Sequence, residues 1–224
     1  MLKSTTRRSL LTGAAAAAAG SLTSTRAAAQ GPGRRFQPAR HTQDEWLDTV
    51  SGKHRTFIDC ASVNSAGAGV LYANNLYVAN AKGYQLKEAD VAVVVCLRHF
   101  ATIFAFNDVI WAKYGAALSE AVSFTDPKTK QAPTKNLLDD ASYSELPNFG
   151  FTIASVVKRG THFAVCDMAT TMLTGLVAAS TKGVPETVYQ EFVRNLIPNS
   201  HLMAAGVVAV NRAQEYGYTL LTAV

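Results

Sequence analysis

The 224-residue chain has 21 Lys and Arg against 16 Asp and Glu, a formal charge of +5, but four of the basic residues and none of the acidic ones fall within residues 1–29. Residues 30–224 are therefore close to neutral, and they lack the clustered basic face that nucleic-acid binding needs. They also contain no run that approaches the roughly 20 apolar residues of a membrane-spanning helix, so we expect no nucleic-acid partner and, once residues 1–29 are removed, no membrane association.

Residues 1–29 have the layout of an export signal. Arg7 and Arg8 precede a short, weakly apolar stretch that contains Ala14–Ala19, and Ala27–Ala29 provides the small residues of a cleavage site. Paired arginines at this position indicate the twin-arginine route. We therefore predict a twin-arginine signal peptide and a periplasmic mature protein. An ordinary alanine-rich helix is the alternative, but the segment has no acidic residue and no amphipathic pattern.

The next residues are predicted to be a linker that leads into a single domain. Residues 30–52 are rich in Gly, Pro, Arg and Gln and have no hydrophobic period, apart from a short helix expected over 44–50. A single α/β domain is predicted over 53–224. It begins with a strand over 54–61 and a helix over 65–82.

The middle of the domain continues this alternation. The run over 90–97 is continuously apolar and rich in valine, which predicts a strand that helices bury on both faces. A short helix over 106–114 is expected to end at Gly115, and a further helix is expected over 149–158. Between these helices, residues 116–147 are rich in turn residues and are predicted to run over the surface, as a lid or a subunit contact.

The last third of the domain completes the pattern. A short strand over 162–166 leads to Asp167, a good N-cap for a helix over 168–179. The remaining predicted elements are a helix over 186–196 after Pro185, a strand over 201–204, a helix over 207–216 and a strand over 218–224. Alternating strands and helices imply right-handed crossovers. The predicted fold class is α/β, a three-layer sandwich with a mainly parallel sheet of about five strands and helices on both faces.

Three segments of this domain resemble the DsrE/DsrF-like family, which includes sulfur-relay proteins. The first is similar to the family's second strand and the helix that follows, the second to its cysteine-bearing strand, and the third to its C-terminal ending. In chain order they are Val93–His99 with Phe104–Asp108 and Trp111–Tyr114, then Gly160–Cys166, then Leu196–Asn199 with Ala205–Val210, Gln214–Glu215 and Gly217–Tyr218. The resemblance covers about residues 54–224, and the export signal and the long 116–147 segment depart from the family's pattern.

The resemblance implies a function for Cys166, which matches the family's cysteine. In the family this cysteine can carry a persulfide between partner proteins, and members assemble as oligomers, often trimers or hexamers. We therefore expect a periplasmic sulfur carrier or thiol-reactive protein that uses Cys166, forms a homo-oligomer and has a sulfur-donor or sulfur-acceptor protein as partner. The alternative is a non-catalytic ligand-binding or homo-oligomeric assembly protein.

The residues themselves also single out Cys166. It ends a predicted parallel strand and precedes a helix, and ligand sites of open α/β sheets lie at that edge. The free N–H groups of a helix N-terminus favour a thiolate, which is the nucleophilic form. A buried, inert cysteine is the alternative. Cys60 and Cys96 are the other two cysteines, and an odd number leaves at least one thiol unpaired.

Four more residues are predicted to share this edge as a binding pocket: Cys60, Asn64, Ser65 and His99. Cys60, Asn64 and Ser65 follow the first strand, and His99 follows the second. Cys60 could equally be a core residue, and His99 could simply hydrogen-bond a loop carbonyl. No metal-ligand spacing, dinucleotide-binding glycine motif, Walker A loop or nucleophile elbow is present. We therefore predict no metal and no cofactor, and the sequence leaves open whether the protein is an enzyme.

Overall fold

A five-stranded, entirely parallel sheet forms the centre of the computed structural model, which describes residues 37–224. The predicted signal peptide and residues 30–36 lie outside the described residues. The strands are β1 (His54–Cys60), β2 (Val91–Leu97), β3 (His162–Cys166), β4 (Ser200–Met203) and β5 (Thr219–Thr222), in the order β4-β3-β2-β1-β5. The predicted α/β sandwich is confirmed.

The strands owe their position to their apolar content. All seven residues of β2 are buried, as expected for a central strand that helices cover on both faces. All four residues of β5 are exposed, because β5 lies at the edge of the sheet. Continuous apolarity therefore decides which strands lie in the middle.

Seven α-helices surround the sheet in the described part of the chain. They are α1 (Trp46–Thr49), α2 (Val63–Tyr84), α3 (Asp108–Val122), α4 (Ile153–Val157), α5 (Asp167–Thr181), α6 (Pro185–Arg194) and α7 (Gly206–Glu215). Helices α2 to α6 contribute buried side chains to a large core on one face of the sheet, whereas α1 and α7 pack on the other face. None of these helices is long and apolar enough to cross a membrane.

The division of the helices between the two faces creates a switch point in the sheet. The connections after β1, β2 and β3 pass over the first face, and the connection after β4 passes over the second face through α7. The chain therefore leaves the carboxyl ends of the neighbouring strands β3 and β4 in opposite directions. In open α/β sheets a crevice at such a point is the usual ligand site.

The segment predicted as a linker belongs to the domain in its described part. Leu47 and Val50 are buried in the second core. The guanidinium of Arg55 donates hydrogen bonds to the carbonyls of Leu47, Asp48 and Val50, and Tyr218 donates another to the carbonyl of Leu47. The linker prediction is therefore wrong for this part, because four hydrogen bonds from Arg55 and Tyr218 satisfy carbonyl groups of a segment that buries two side chains.

The prediction for residues 116–147 also needs correction. Helix α3 continues through Gly115 to Val122, and the missing side chain of Gly115 makes room for the carbonyl of Pro133, which lies 2.0 Å from where a Cβ atom would be. The segment then packs inward, with Leu137, Leu138 and Leu146 buried. It forms part of the large core rather than a lid over the surface.

Candidate functional site

Cys166 lies at the junction of β3 and α5. Its Sγ accepts a hydrogen bond from the backbone N–H of Ala169 at 3.4 Å, so the cysteine itself is the N-cap of α5. This corrects the expectation that Asp167 caps the helix. Asp167 is already helical, and its carboxylate accepts a hydrogen bond from the hydroxyl of Tyr189 at 2.6 Å. Cys166 is a free thiol and the residue is 7% exposed.

An ion pair between Asp59 and Arg98 lies at the same edge of the sheet. Arg98 Nε and Nη2 donate to the two carboxylate oxygens of Asp59 at 2.6 and 2.8 Å, which is bidentate geometry. The stem of Arg98 lies against Gly206 at the start of α7, where an added Cβ would stand 2.2 Å from Arg98 Cβ. The glycine therefore allows the arginine to lie flat at this edge.

Arg98 follows β2 and Cys166 ends β3, so both lie at the carboxyl edge of the sheet. The pKa of Arg98 is raised, first by its hydrogen bonds to Asp59 and further by the negative charges that Cys96 and Cys166 can carry. A cationic neighbour and a helix N-terminus both favour the thiolate form of a cysteine. Cys166 caps a helix N-terminus, and it shares the edge with Arg98, whose charge is offset by the ion pair with Asp59.

The other two cysteines are sealed in the interior. Cys60 and Cys96 have no exposed surface, and burial raises the pKa of both thiols. Cys60 faces α2, where a Cβ on Gly69 would lie 2.4 Å from its sulfur. This corrects the expectation that Cys60 lines a pocket, because its side chain points to the large core on the opposite face from α7.

The remaining predicted pocket residues do not form a pocket with Cys166. Ser65 helps to cap a helix, and Asn64 and His99 are exposed. Ser65 is buried and forms a capping box with Ser62 at the start of α2. Asn64 is exposed on the same turn. His99 is exposed, has a positive φ of 51° and tilts against Phe100. Within residues 37–224, no hydrogen bond joins any of the predicted pocket residues to Cys166.

A cleft of about 600 Å³ lies beside Cys166 at the switch point. Sequence reasoning missed it, because its walls come from distant parts of the chain. Asp167 follows Cys166 in sequence, and Met203 is its partner in the register of β3 and β4. The lining residues are His41, Gln43, Asp44, Asp167, Leu202, Met203, Ala204, Val208 and Arg212. The sequence did predict strands that end near residues 166 and 203, but the structure was needed to show that these two ends are neighbours.

A second titratable cluster lies near the amino ends of β3 and β4. His162 Nδ1 and His201 Nε2 are 3.0 Å apart, and Trp46 stacks on His201 with the ring centroids 3.8 Å apart. Burial lowers the pKa of His162, and burial together with the charge of His162 lowers the pKa of His201 to about 4. Across residues 37–224, no group of three or more His, Cys, Asp or Glu side chains is arranged to hold a metal ion.

Comparison with known proteins gives no family for this chain. No protein-family model matches it, and no curated protein matches it. The resemblance to DsrE/DsrF-like proteins stays a prediction. Function is therefore inferred from the geometry of Cys166, Arg98 and the cleft.

Proposed function

We propose that this chain is a DsrE-like periplasmic protein in which Cys166 is a nucleophilic thiol that carries sulfur or forms another reversible covalent adduct. The observation that carries the proposal is the position of the Cys166 sulfur, which caps α5 at the carboxyl edge of the sheet. Helix N–H groups lower the energy of a thiolate, and thiolates are the reactive form.

Among the three cysteines, only Cys166 has an environment suited to reaction. Cys60 and Cys96 are fully buried, and burial raises the pKa of their thiols, which disfavours the thiolate. Cys166 is 7% exposed and caps α5, and its sequence neighbour Asp167 and its strand partner Met203 line a cleft. These differences support Cys166 as the reactive sulfur.

The chemistry follows from a thiolate at this position. The Cys166 thiolate attacks the outer sulfur of a persulfide donor, R–S–SH, and forms a new S–S bond. The donor's S–S bond breaks, R–S⁻ leaves, and Cys166 carries the persulfide. The N–H groups at the N-terminus of α5 stabilise negative charge on the sulfur before attack and on the persulfide anion afterwards.

Alkylation of the purified, folded protein tests this proposal. Iodoacetamide at neutral pH is expected to add one group, located at Cys166 by peptide mass spectrometry, and a polysulfide is expected to add the mass of one sulfur at the same residue. Cys166→Ser should abolish both adducts, whereas Cys96→Ser should abolish neither. A folded wild-type protein that takes up neither reagent would refute the proposal.

A homo-oligomeric assembly protein is the second candidate, and an apolar stripe on α5 favours it. Met168, Met172 and Leu176 are spaced four residues apart, so they lie on one face of the helix, and they are 69%, 42% and 46% exposed. Contiguous exposed apolar side chains mark interaction surfaces. Sedimentation should show an oligomer, a trimer or hexamer if the resemblance holds, that Met172→Lys dissociates. A monomeric wild type at all concentrations would exclude this candidate.

A further inference from the structure

The cleft beside Cys166 has the size and lining of a small-molecule site. Its volume of about 600 Å³ falls within the range of roughly 300 to 1,000 Å³ that is usual for ligand pockets. Leu202, Met203, Ala204 and Val208 give it an apolar wall, and Asp44, Asp167 and Arg212 bring charged groups to it. A few charged groups beside an apolar surface are typical of a site that orients an amphipathic ligand.

The charges of the cleft favour a cation. Arg212 already has two acidic partners, since its Nε lies 3.6 Å from the Asp44 carboxylate and its Nη1 forms an ion pair with Glu215. The charges of Arg212 and Asp44 therefore offset each other within the cleft. Among the described residues that line the cleft, Asp167 is then the one without an offsetting charge, and the three charged ones together carry −1.

The carboxylate of Asp167 keeps bonding capacity for a ligand. Its Oδ1 accepts the hydroxyl of Tyr189, and in the described part of the chain no hydrogen bond or ion pair engages Oδ2. A carboxylate has about four lone-pair sites and takes an ammonium group well. An anionic ligand would be repelled by Asp167 and would have to displace Asp44 or Glu215 from Arg212.

We propose that this cleft binds a small ligand with an ammonium group on an apolar body. Asp167 is the counter-ion of the ammonium group, and Leu202, Met203 and Val208 contact the body. The inference goes beyond the reactivity of Cys166, because binding needs the carboxylate and the apolar wall but not the thiol. A ligand held there lies beside the residue that caps α5.

Three six-carbon probes test the charge preference on the purified full-length protein. Hexylamine and hexanol have an apolar chain of six carbons, hexanoate has one of five, and the three probes differ in charge. Calorimetric titration is expected to give saturable binding of hexylamine at one site, at least about tenfold tighter than hexanol, because its ammonium group forms a charge-assisted hydrogen bond with the Asp167 carboxylate. Hexanoate should bind more weakly than hexanol. Equal binding of all three probes, or no binding of hexylamine, would overturn the proposal.

Two substitutions locate the site. Asp167→Asn keeps an acceptor for Tyr189 and removes the charge, so hexylamine binding should weaken about tenfold or more. Asp139→Asn is the matched control, since Asp139 is an exposed carboxylate that accepts the N–H of Ala154 at α4. It should leave binding unchanged, and equal losses in both variants would overturn the assignment.

A third variant keeps the test independent of the Asp167 charge. Val208 is 39% exposed on α7 and lines the cleft, so Val208→Trp should fill the cleft without overpacking the core. Hexylamine binding should be lost, and unchanged binding would place the probe elsewhere and refute the proposal. Cys166→Ser should bind hexylamine as the wild type does, so a failure of the thiol proposal and a failure of this one are distinguishable.

Discussion

The strands β3 and β4 end in two very different environments. At their carboxyl ends, Cys166 caps a helix near Arg98, and charged side chains border an open cleft. At their amino ends, His162 and His201 share a hydrogen bond under the ring of Trp46, and burial lowers the pKa of both. The carboxyl edge therefore holds ionised side chains, whereas the amino edge favours the neutral form of its two histidines.

The segment around α1 contributes to both edges. Its residues His41, Gln43 and Asp44 form one wall of the cleft, and its Trp46 stacks on the histidine pair. The same few residues thus enclose a polar cavity at one end and shield two neutral rings at the other. The comparison shows that a chain segment with little apolar content can still define both ends of a strand pair.

The largest change in stability is expected from breaking the ion pair between Arg98 and Asp59 at the carboxyl edge. Arg98→Met leaves the Asp59 carboxylate, whose side chain is 9% exposed, without its partner. Breaking such a pair should lower the free energy of unfolding by about 3 kcal/mol, measured by chemical denaturation. It should also slow alkylation of Cys166, because the unpaired Asp59 carboxylate adds negative charge at the edge where the thiolate forms.

Arg159→Met is the matched control for this variant. Arg159 pairs with Glu88 at 3.2 Å, but the two side chains are 32% and 49% exposed. Loss of an exposed pair should change stability by less than about 1 kcal/mol and should leave the alkylation rate unchanged. If both arginine variants lost equal stability, the carboxyl edge would have no special dependence on charge.

A smaller effect is expected from opening the amino edge. Trp46→Ala removes a partly buried ring from His201, and the free energy of unfolding should fall by about 2 kcal/mol, less than for a fully buried tryptophan. The two histidines gain solvent, so their pKa values should rise toward 6.5 in an NMR titration. Tyr84→Ala, at a residue that is 76% exposed, should do neither.

Acid is expected to destabilise the folded protein through the histidine pair. The pKa of His201 is about 4 in the folded protein against 6.5 as its ordinary value, so the unfolded chain binds the proton first as the pH falls. Stability should therefore decrease from about pH 6.5 toward pH 4, by about 1 kcal/mol, since solvent screens these half-exposed rings. His201→Phe keeps an aromatic ring beside Trp46 and should flatten this part of the pH profile. An unchanged profile would show that the histidine pair does not control acid stability.

The position of the carboxyl edge was easier to predict from the sequence than the cleft that lies there. The valine-rich run of β2 and the alternation of elements sufficed for a parallel sheet, and the ends of its strands then indicated the edge. The cleft was not predictable, since Asp44 and Arg212 are brought together only by the packing of two segments far apart in sequence. Leu47 and Val50 are isolated apolar residues in a polar stretch, and their burial depends on Arg55 as a donor to the carbonyls between them.

Local rules also failed where tertiary contacts were stronger. Gly115 has the residue type of a helix stop, yet it lies inside α3, where its missing side chain makes room for the carbonyl of Pro133. Asp167 is the better N-cap by residue type, but Cys166 is paired with Met203 in the sheet and its extended backbone takes the cap position. The candidate nucleophile was therefore predictable as a residue, whereas its bond to Ala169 was not.

The smallest expected change in stability separates a structural role of Cys166 from a chemical one. Serine is a stronger N-cap than a thiol, because its hydroxyl oxygen is the better acceptor for the N–H of Ala169. Cys166→Ser should therefore keep or raise the free energy of unfolding, by up to about 1 kcal/mol, while alkylation is lost. Such a gain would mean that the cysteine holds a position that serine would stabilise better, which is typical of residues kept for reactivity. A loss of 2 kcal/mol or more would instead indicate that the sulfur is needed for packing. Cys166 would then be a structural residue, and the carboxyl edge would no longer differ from the amino edge in having a reactive side chain.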